Sequence, residues 1–188
     1  MPIITKDFST GYQNEKIITS VSLSLEKSEW LGIIGANGSG KSTFLKGISR
    51  ILDAYSGNAY LYGEDIHLSS TQEIAKKVSI LPQLNRLNLP LTVFELVCLG
   101  RSPHKKWWEL DLDENDLSKV EQSIALTDMT ALKNKAVDAL SGGQRQRAFL
   151  SLALAQDARI LLLDEPTTFL DLRYQIQFLD LLKRLNNE

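Results

Sequence analysis

The sequence predicts an α/β fold with a mostly parallel sheet, an N-terminal antiparallel β portion and a helical insertion. Three observations predict it. Strand patterns alternate with helical patterns along most of the chain. The stretch "RILLLDEP" is a continuous apolar run that ends in acids, as expected of a central parallel strand buried on both faces. The stretch "EWLGIIGA" is a second buried strand, and it runs directly into a glycine-rich turn.

The other elements follow from hydrophobic periodicity. "IITSVSLSLE" alternates apolar and polar residues and "NAYLYG" is a short strand, so both belong to the β portion. Helical patterns cover residues 41–51, 71–77, much of 91–135 and 146–156, and a strand covers 78–81. The last stretch, 171–187, is predicted as a helix with five apolar residues on one face: Leu172, Ile176, Leu179, Leu182 and Leu185.

Composition limits the function classes. The chain has 188 residues, of which 43% are hydrophobic and 23% charged, so one globular domain over residues 1–188 is expected. The formal charge of −2 gives no field that favours nucleic acid. The single cysteine, Cys98, excludes an internal disulfide and suits a reducing compartment. We find no signal-peptide pattern and no apolar run near the roughly 20 residues that span a bilayer, which predicts a cytosolic protein.

The stretch "GANGSGKS" matches G-x-x-x-x-G-K-[ST] between a strand and a helix, which is where a phosphate-binding loop belongs. Its backbone amides would cradle phosphate oxygens. Lys41 would neutralise the β- and γ-phosphates, and the Ser42 hydroxyl would bind Mg²⁺. The predicted nucleotide-binding residues of this loop are Gly35, Ala36, Asn37, Gly38, Ser39, Gly40, Lys41, Ser42 and Thr43.

Two acids follow the strand in "ILLLDEP". Ligands of α/β sheets bind at the carboxyl ends of the strands, and Asp164 and Glu165 lie there. We assign Asp164 to Mg²⁺ and Glu165 to the attacking water. An Asp-Glu pair at a strand end is also common as a helix cap, so the assignment depends on the phosphate loop.

A second anion site is predicted in "LSGGQRQR". Ser141 is a helix N-cap, and Gln144 completes a capping box three residues later. Gly142 and Gly143 leave backbone N–H groups uncovered at the positive end of the helix dipole. Taken alone, this stretch is equally an ordinary well-capped helix. With the phosphate loop, it predicts two phosphate sites about a hundred residues apart.

With "GANGSGKS", "LSGGQ" and "LLLDEP" in this order, the chain resembles the nucleotide-binding subunit of ATP-binding-cassette (ABC) transporters over essentially its whole length. The resemblance implies a phosphate-loop NTPase fold, with a nucleotide-binding core in residues 1–83 and 141–188 and a helical subdomain in 84–140. It also implies ATP and Mg²⁺ as cofactors. Two subunits of this family pack head to tail, so Ser141, Gly142, Gly143 and Gln144 would complete the partner's γ-phosphate site.

The resemblance assigns further residues. Tyr12 is the aromatic expected to stack on adenine. Gln83 in "ILPQL" resembles the family's glutamine that binds Mg²⁺ and acts in catalysis with Glu165 and Lys41. Asp171 in "TTFLD" resembles the aspartate that couples the two sites, and it is also a candidate helix N-cap.

The stretches "VFELVCLGRSPH", "LALAQ" and "TTFLDLRYQ" resemble ATPases of importers for iron–siderophores, haem or cobalamin. The implied partners are a second ATPase subunit, a membrane permease that contacts the helical subdomain, and an extracytoplasmic solute-binding protein. No nucleic acid is implied, and the implied location is the cytoplasm, on the inner face of the membrane. Trp107 and Trp108 either form an exposed pair at the permease or pack beneath the helical insertion.

The family's histidine at the γ-phosphate has no counterpart, since His67 and His104 lie in other segments. That histidine would lie beyond Glu188, so the resemblance implies a chain that lacks its C-terminal part. The resemblance leaves open whether such a chain hydrolyses ATP. Two alternatives to a transport ATPase are a non-transport ABC ATPase that acts on nucleic acid or the ribosome, and a truncated module that binds ATP without turnover.

Overall fold

The chain folds into an antiparallel sheet, a pair of parallel strands and a set of helices. They are seen in a computed structural model that describes residues 1–13, 15–83, 90–106, 108–109, 111–168 and 170–187. The start of the predicted helical insertion, residues 84–89, lies outside these ranges, as does Trp107, for which either permease docking or packing is expected.

The antiparallel sheet contains the strands β1 (Ile3–Tyr12), β2 (Glu15–Leu25), β3 (Ala54–Leu61) and β4 (Glu64–Asp65), in the order β2-β1-β3-β4. Its register shifts where β1 carries Asp7 at a φ of 47°. A Cβ on Gly57 of β3 would lie 2.2 Å from the Asp7 carbonyl oxygen, so only glycine fits opposite this irregularity. Such a bulge bends and twists the strand.

The parallel pair consists of β5 (Val78–Leu81) and β6 (Ile160–Leu163), matched residue for residue from Val78↔Ile160 to Leu81↔Leu163. Both strands agree with the sequence prediction. The backbone N–H of Asp164 donates to the Leu81 carbonyl at 3.0 Å, which extends the ladder by one bond. The acids after β6 therefore emerge at a fixed position on the carboxyl edge of the sheet.

The helices are α1 (Lys41–Ile48), α2 (Thr71–Ala75), α3 (Val93–Cys98), α4 (Glu114–Leu126), α5 (Gly142–Ala155) and α6 (Leu172–Asn187). Short 3₁₀ segments cover Leu99–His104, Thr130–Leu132 and Val137–Ala139. Helices α2 to α5 each begin with a capping box, which fixes where each helix starts. Within the described ranges, every helix is too short or too polar to cross a bilayer.

Two hydrophobic cores meet at the parallel strands. The first joins the antiparallel sheet to α1 and contains an edge-to-face pair, Phe8 and Phe44, with ring centroids 6.2 Å apart. The second joins α3, α4, α5 and α6. Val78 and Ile160 belong to the first core and Leu81 to the second. The α/β fold class predicted from the sequence is confirmed, with both its antiparallel and its parallel part.

The strand predicted in "EWLGIIGA" is wrong for this structure. Residues 29–36 form no strand, and the side chain of Ile34 is 98% exposed. A parallel strand needs a neighbour at its edge and cover on its faces, and the described residues pair neither edge of this segment. The apolar run therefore remains an extended loop that leads into the glycine-rich turn.

The apolar face predicted for α6 is only partly buried. The helix forms over the expected residues, and Leu182 and Leu185 of that face pack against the second core, whereas Leu172, Ile176 and Leu179 are exposed. Phe178 and Leu181, which lie outside the predicted set, are buried against the same core. Periodicity finds an apolar stripe but does not say which side has a partner, and α6 has apolar residues on two sides.

Candidate functional site

The glycine-rich turn has the backbone of a phosphate-binding loop. Gly38 has a φ of 77° and Gly40 a φ of 92°, both in the left-handed region where glycine carries no steric cost. Gly40 is the N-cap of α1, and its carbonyl accepts from the Phe44 N–H at 2.9 Å. The turn thus directs the N–H groups at the start of α1, which have no intrahelical acceptor, toward one point. The helix dipole also favours an anion there.

Lys41 folds back over this turn. Its Nζ donates to the carbonyls of Gly35 and Ala36, both at 2.9 Å, and lies 4.0 Å from Oε1 of Glu165. The ammonium therefore lies at the mouth of the loop, between the turn and the acid that follows β6.

Ser42 and Asp164 come together although they are 122 residues apart. The Ser42 hydroxyl donates to Oδ1 of Asp164 at 2.7 Å. Asp164 is 4% exposed, because it continues β6 into the interior. Its carboxylate and the Ser42 hydroxyl are hard oxygen donors of the kind that Mg²⁺ takes alongside phosphates and water.

Glu165 lies beside this pair in a strained backbone conformation, with a φ of 48°. Its Oε2 accepts from the amide of Gln83 at 3.0 Å and from the Thr168 hydroxyl at 3.2 Å. Gln83 follows β5 and Glu165 follows β6, so the parallel pairing brings the two together. The carboxylate is held at one end of the sheet with its other oxygen toward Lys41.

Tyr12 lies at the end of β1 and is half exposed. The Nζ of Lys46 lies 5.8 Å from the centre of its ring and donates to its hydroxyl at 3.2 Å. Lys46 is on α1, the helix that follows the phosphate loop. The ring is thereby held beside the helix that the loop begins.

The capping box predicted at the start of α5 is present. The Gln144 N–H donates to Oγ of Ser141 at 3.3 Å, and the Ser141 N–H donates to Oε1 of Gln144 at 3.1 Å. A Cβ on Gly142 would meet nothing within 4 Å, so this end of α5 is open on that side. Asp171 caps the next helix, α6, since its Oδ1 accepts from the Tyr174 N–H at 3.0 Å.

The structure thus brings together Lys41, Ser42, Gln83, Asp164 and Glu165, which the sequence placed on separate segments. Sequence reasoning missed Thr168 and Lys46. Thr168 lies three residues after Glu165, and its N–H donates to the Glu165 carbonyl at 3.1 Å, which closes a turn. A threonine at this spacing after an acid is a sequence signal for such a turn. Lys46 has no such signal, because its contact to Tyr12 depends on how α1 packs against β1.

A phosphate loop at the start of a helix, with acids at the end of a neighbouring parallel strand, defines a nucleotide-binding ATPase cassette. The ABC transporter family matches residues 18–168, and the chain belongs to it as an ATP-binding subunit. This confirms the resemblance drawn from "GANGSGKS", "LSGGQ" and "LLLDEP".

Three curated relatives are similar over nearly the whole chain. The achromobactin transport ATP-binding protein CbrD of Dickeya dadantii (strain 3937) is 44% identical, covering 99% of this chain and 69% of its own length. The iron(3+)-hydroxamate import ATP-binding protein FhuC of Bacillus subtilis (strain 168) is 44% identical, covering 98% and 68%. The ferric enterobactin transport ATP-binding protein FepC of Escherichia coli (strain K12) is 39% identical, covering 97% and 67%. The chain therefore spans about two thirds of their length.

Solved structures agree with the fold. A metal-chelate type ABC transporter in an inward-facing conformation superimposes with a TM-score of 0.84 at 27% identity, covering all of this chain and 68% of the other. A nucleotide-free ATP-binding cassette of an ABC transporter superimposes with a TM-score of 0.86 at 23% identity, covering 98% and 77%. The second likeness shows the fold alone.

Proposed function

We propose that this chain binds and hydrolyses Mg²⁺-ATP and thereby energises the import of an iron–siderophore, haem or cobalamin through a membrane permease. The observation that carries the proposal is the convergence of Ser42 with Asp164 at 2.7 Å and of Gln83 with Glu165 at 3.0 Å beside Lys41. The solute class is supported by relatives whose names describe achromobactin, iron(3+)-hydroxamate and ferric enterobactin transport.

The phosphate loop and Lys41 bind the triphosphate. Backbone N–H groups at the start of α1 hold its oxygens, and the Lys41 ammonium exchanges its two carbonyl partners for the β- and γ-phosphates. A charge-assisted bond to phosphate is stronger than the bonds to neutral carbonyls that it replaces. The other predicted loop residues, from Gly35 to Thr43, act through their backbone.

Ser42 and Asp164 would hold Mg²⁺ together with the phosphates, and the amide oxygen of Gln83 would be a further ligand. Bound there, the ion neutralises charge that develops on the β- and γ-phosphate oxygens. The residues fit this ion because they offer hydroxyl, carboxylate and amide oxygens and no sulfur or imidazole. Asp164 keeps its carboxylate in place through the backbone bond to Leu81 at 3.0 Å.

Glu165 orients the attacking water and takes its proton. The amide of Gln83 and the hydroxyl of Thr168 fix one carboxylate oxygen, which leaves the other oxygen to accept from water. The water oxygen forms a bond to the γ-phosphorus while the bond from that phosphorus to the β,γ-bridging oxygen breaks, and ADP and phosphate result. Catalysis is then mainly positioning and charge neutralisation.

The open end of α5 completes a second subunit's site. Ser141 and Gln144 close the capping box, and Gly142 and Gly143 place their N–H groups in the first helical turn, where no intrahelical acceptor is available. The chain already has a phosphate loop elsewhere. We infer a head-to-tail homodimer in which this end of α5 meets the partner's γ-phosphate. Asp171, at the start of α6, couples the two sites.

We assign the permease contact to the helical subdomain, residues 84–140, and the nucleotide to the core, residues 1–83 and 141–188. Trp108 of the helical part is 59% exposed, with the Lys106 ammonium 5.4 Å from its ring centre. The subunit then works at the inner face of the cell membrane, with a solute-binding protein on the other side.

The test replaces Glu165 by Gln in the chromosomal gene of the cells that make this chain. Uptake of labelled iron–siderophore, haem and cobalamin is measured one solute at a time, with an unrelated nutrient as control. We expect at least one of the three to be lost while the control is unchanged. Unchanged uptake of all three contradicts the proposed solute class.

The purified chain gives the second half of the test. Wild type and Glu165→Gln should bind ATP equally, because the substitution keeps the shape of the side chain and removes only the base. Any ATPase rate of the wild type should fall in the variant by about 10²–10⁴-fold. A wild type that binds ATP with no rate above the variant would instead support a binding module without turnover.

A further inference from the structure

The first turn of α6 packs against the first turn of α5 inside the same chain. A Cβ on Gly143 would lie 3.2 Å from Cδ1 and 3.4 Å from Cγ of Tyr174, which is closer than a methyl group normally packs on a ring. A Cβ on the neighbouring Gly142 would meet nothing within 4 Å. The two glycines of "LSGGQ" therefore have different surroundings. Gly142 is open outward, and Gly143 is covered by an aromatic ring.

Tyr174 is held by the loop that follows Glu165. The Tyr174 N–H donates to Oδ1 of Asp171 at 3.0 Å. The next residue, Gln175, donates through its amide to the Leu170 carbonyl at 2.9 Å and to the Thr167 carbonyl at 3.4 Å. These bonds tie the loop backbone to the start of α6, and so to the position of the Tyr174 ring.

The same loop also holds the acid of the chain's own site. The Thr168 hydroxyl donates to Oε2 of Glu165 at 3.2 Å, and the Thr168 N–H donates to the Glu165 carbonyl at 3.1 Å. A set of contacts thus links Glu165 with Thr168, and Thr167, Leu170 and Asp171 with the start of α6, from which Tyr174 reaches Gly143. One end of this set faces the chain's own nucleotide site, and the other is the helix end that we assign to a partner's nucleotide.

The Tyr174 ring is 44% exposed, so it is not a core residue kept for burial. Phe178, Leu181 and Leu182 anchor α6 in the second core without it. An aromatic ring at this place contributes a flat, rigid surface against the backbone of α5, with few side-chain rotations to restrict.

We propose that Tyr174 is a positioning residue that fixes the open end of α5 relative to Glu165 of the same chain. This role of Tyr174 rests on the proposed head-to-tail dimer, because only in that dimer does the start of α5 meet a phosphate. In that dimer each subunit offers its α5 end to the partner only when its own Glu165 loop is in place. Gly143 is required because Tyr174 covers it, and Gly142 because the partner's phosphate approaches there.

The test measures ATP-driven dimerisation by sedimentation velocity in a Glu165→Gln background, so that nucleotide is not consumed. ATP affinity of the monomer, from a fluorescent ATP analogue, shows in each variant that the chain is folded and its phosphate loop intact. Tyr174→Ala should weaken the dimer about tenfold or more with unchanged monomer affinity, and Tyr174→Phe should restore it. If Tyr174→Ala does not fold, Tyr174→Leu takes its place.

A double substitution separates the roles of the two glycines. Gly143→Ala should weaken the dimer alone but add little to Tyr174→Ala, because the ring that its methyl group meets is gone. Gly142→Ala is the matched control, and its effect should add fully to that of Tyr174→Ala. Additive effects at Gly143 would mean that it serves the nucleotide directly and would overturn the proposal.

The outcomes also separate this proposal from the proposed function. A parent chain that binds ATP and stays monomeric contradicts the dimer, and the role of Tyr174 falls with it. A parent that dimerises while Tyr174→Ala dimerises equally well overturns the role of Tyr174 alone.

Discussion

At the scale of single residues, the proposed nucleotide site is built from side chains that each have a defined partner within the chain. Lys41 is held by two carbonyls at 2.9 Å, and Ser42 by Asp164 at 2.7 Å. Such a site loses little side-chain freedom when the ligand arrives, which favours affinity. Tyr12 is similarly placed, since Lys46 lies 5.8 Å from its ring centre.

Replacing Tyr12 tests its role as the adenine platform. Tyr12→Ala should lower the affinity for ATP about tenfold, because stacking of a base on an aromatic side chain contributes about 1–3 kcal/mol. Tyr12→Phe should keep the affinity, since the stacking face is unchanged. The measurement is calorimetric titration with ATP and, as a control ligand without a base, inorganic triphosphate. A Tyr12→Ala variant that loses triphosphate as strongly as ATP would mean that the ring supports the loop instead.

The residues themselves predicted the site positions that have a local signal, and the family resemblance added Tyr12, Gln83 and Asp171. "GANGSGKS" and the capping box at Ser141 are each short enough for their chemistry to be visible in consecutive residues. The contact of Gln83 with Glu165 joins residues 82 apart, and that of Tyr174 with Gly143 crosses two helices. Such pairs follow from strand register and helix packing, which sequence patterns do not specify.

At the scale of elements, a buried ion cluster joins the 3₁₀ segment Leu99–His104, α4 and α5. Arg101 and Asp116 are each 3% exposed, and Nε of Arg101 donates to Oδ1 of Asp116 at 2.9 Å. Nη1 of Arg101 also donates to the Ala155 carbonyl at the end of α5, at 2.7 Å. Lys105 contacts the second oxygen of Asp116. The cluster thereby ties the start of α4 to the end of α5.

Neutralising Asp116 should destabilise the fold strongly. Asp116→Asn leaves the Arg101 guanidinium buried without its charge partner, which costs about 3–5 kcal/mol in the free energy of unfolding. The control is Asp113→Asn, because asparagine is an equally good N-cap for α4 and the side chain of Asp113 is exposed. Urea unfolding at pH 7 gives both values. Equal losses in the two variants would show that helix capping, and not the ion pair, is what Asp116 contributes.

The same cluster predicts an acid-sensitive stability. Burial raises the pKa of Asp116, but hydrogen bonds from Lys105 and Arg101 outweigh it and lower the pKa from 3.8 to about 2. Because the folded pKa is below the unfolded one, the contribution is present above about pH 4 and is lost as the pH falls toward 2. The difference corresponds to about 2 kcal/mol. The unfolding free energy of the wild type should therefore fall toward that of Asp116→Asn between pH 4 and 2.

The sequence predicted the strands that are buried on both faces. It did not predict which apolar segments would find a partner in the fold. β5 and β6 are apolar and lie between both cores, so their patterns predicted that both are strands. The segment 29–36 is also largely apolar but has no strand at its edge among the described residues, and it stays a loop. Apolar patterning reports the capacity to be buried, and tertiary contacts decide whether burial occurs.

At the scale of the whole molecule, the two cores meet at β5 and β6, and the carboxyl ends of these strands present Gln83, Asp164 and Glu165. A movement of the helical subdomain, residues 84–140, relative to β5 and β6 would therefore change the surroundings of Glu165 directly. This arrangement suits a subunit in which ATP hydrolysis and movement of the helical part are linked.

The molecule also exposes apolar side chains in two segments: Trp30, Leu31, Ile33 and Ile34 before the glycine-rich turn, and Leu172, Ile176 and Leu179 of α6. One hydrogen bond joins the neighbourhoods of the two segments, since Asn186 near the end of α6 donates to the Ser28 carbonyl at 3.2 Å. Four exposed apolar residues within five positions differ from apolar residues scattered singly over a surface.

The segment 30–34 should bind a hydrophobic dye such as anilinonaphthalene sulfonate, and Ile34→Asn should lower the fluorescence of the bound dye. Ile34 is 98% exposed, so the substitution removes apolar surface without opening a cavity in either core. Leu68→Asn is the matched control, because Leu68 is 89% exposed but lies in the turn before α2, outside this segment. Both variants should unfold at the same urea concentration as the wild type. Equal dye binding by the wild type and Ile34→Asn would mean that the segment offers the dye no site in solution, and that Ile34 acts as an isolated apolar residue like Leu68.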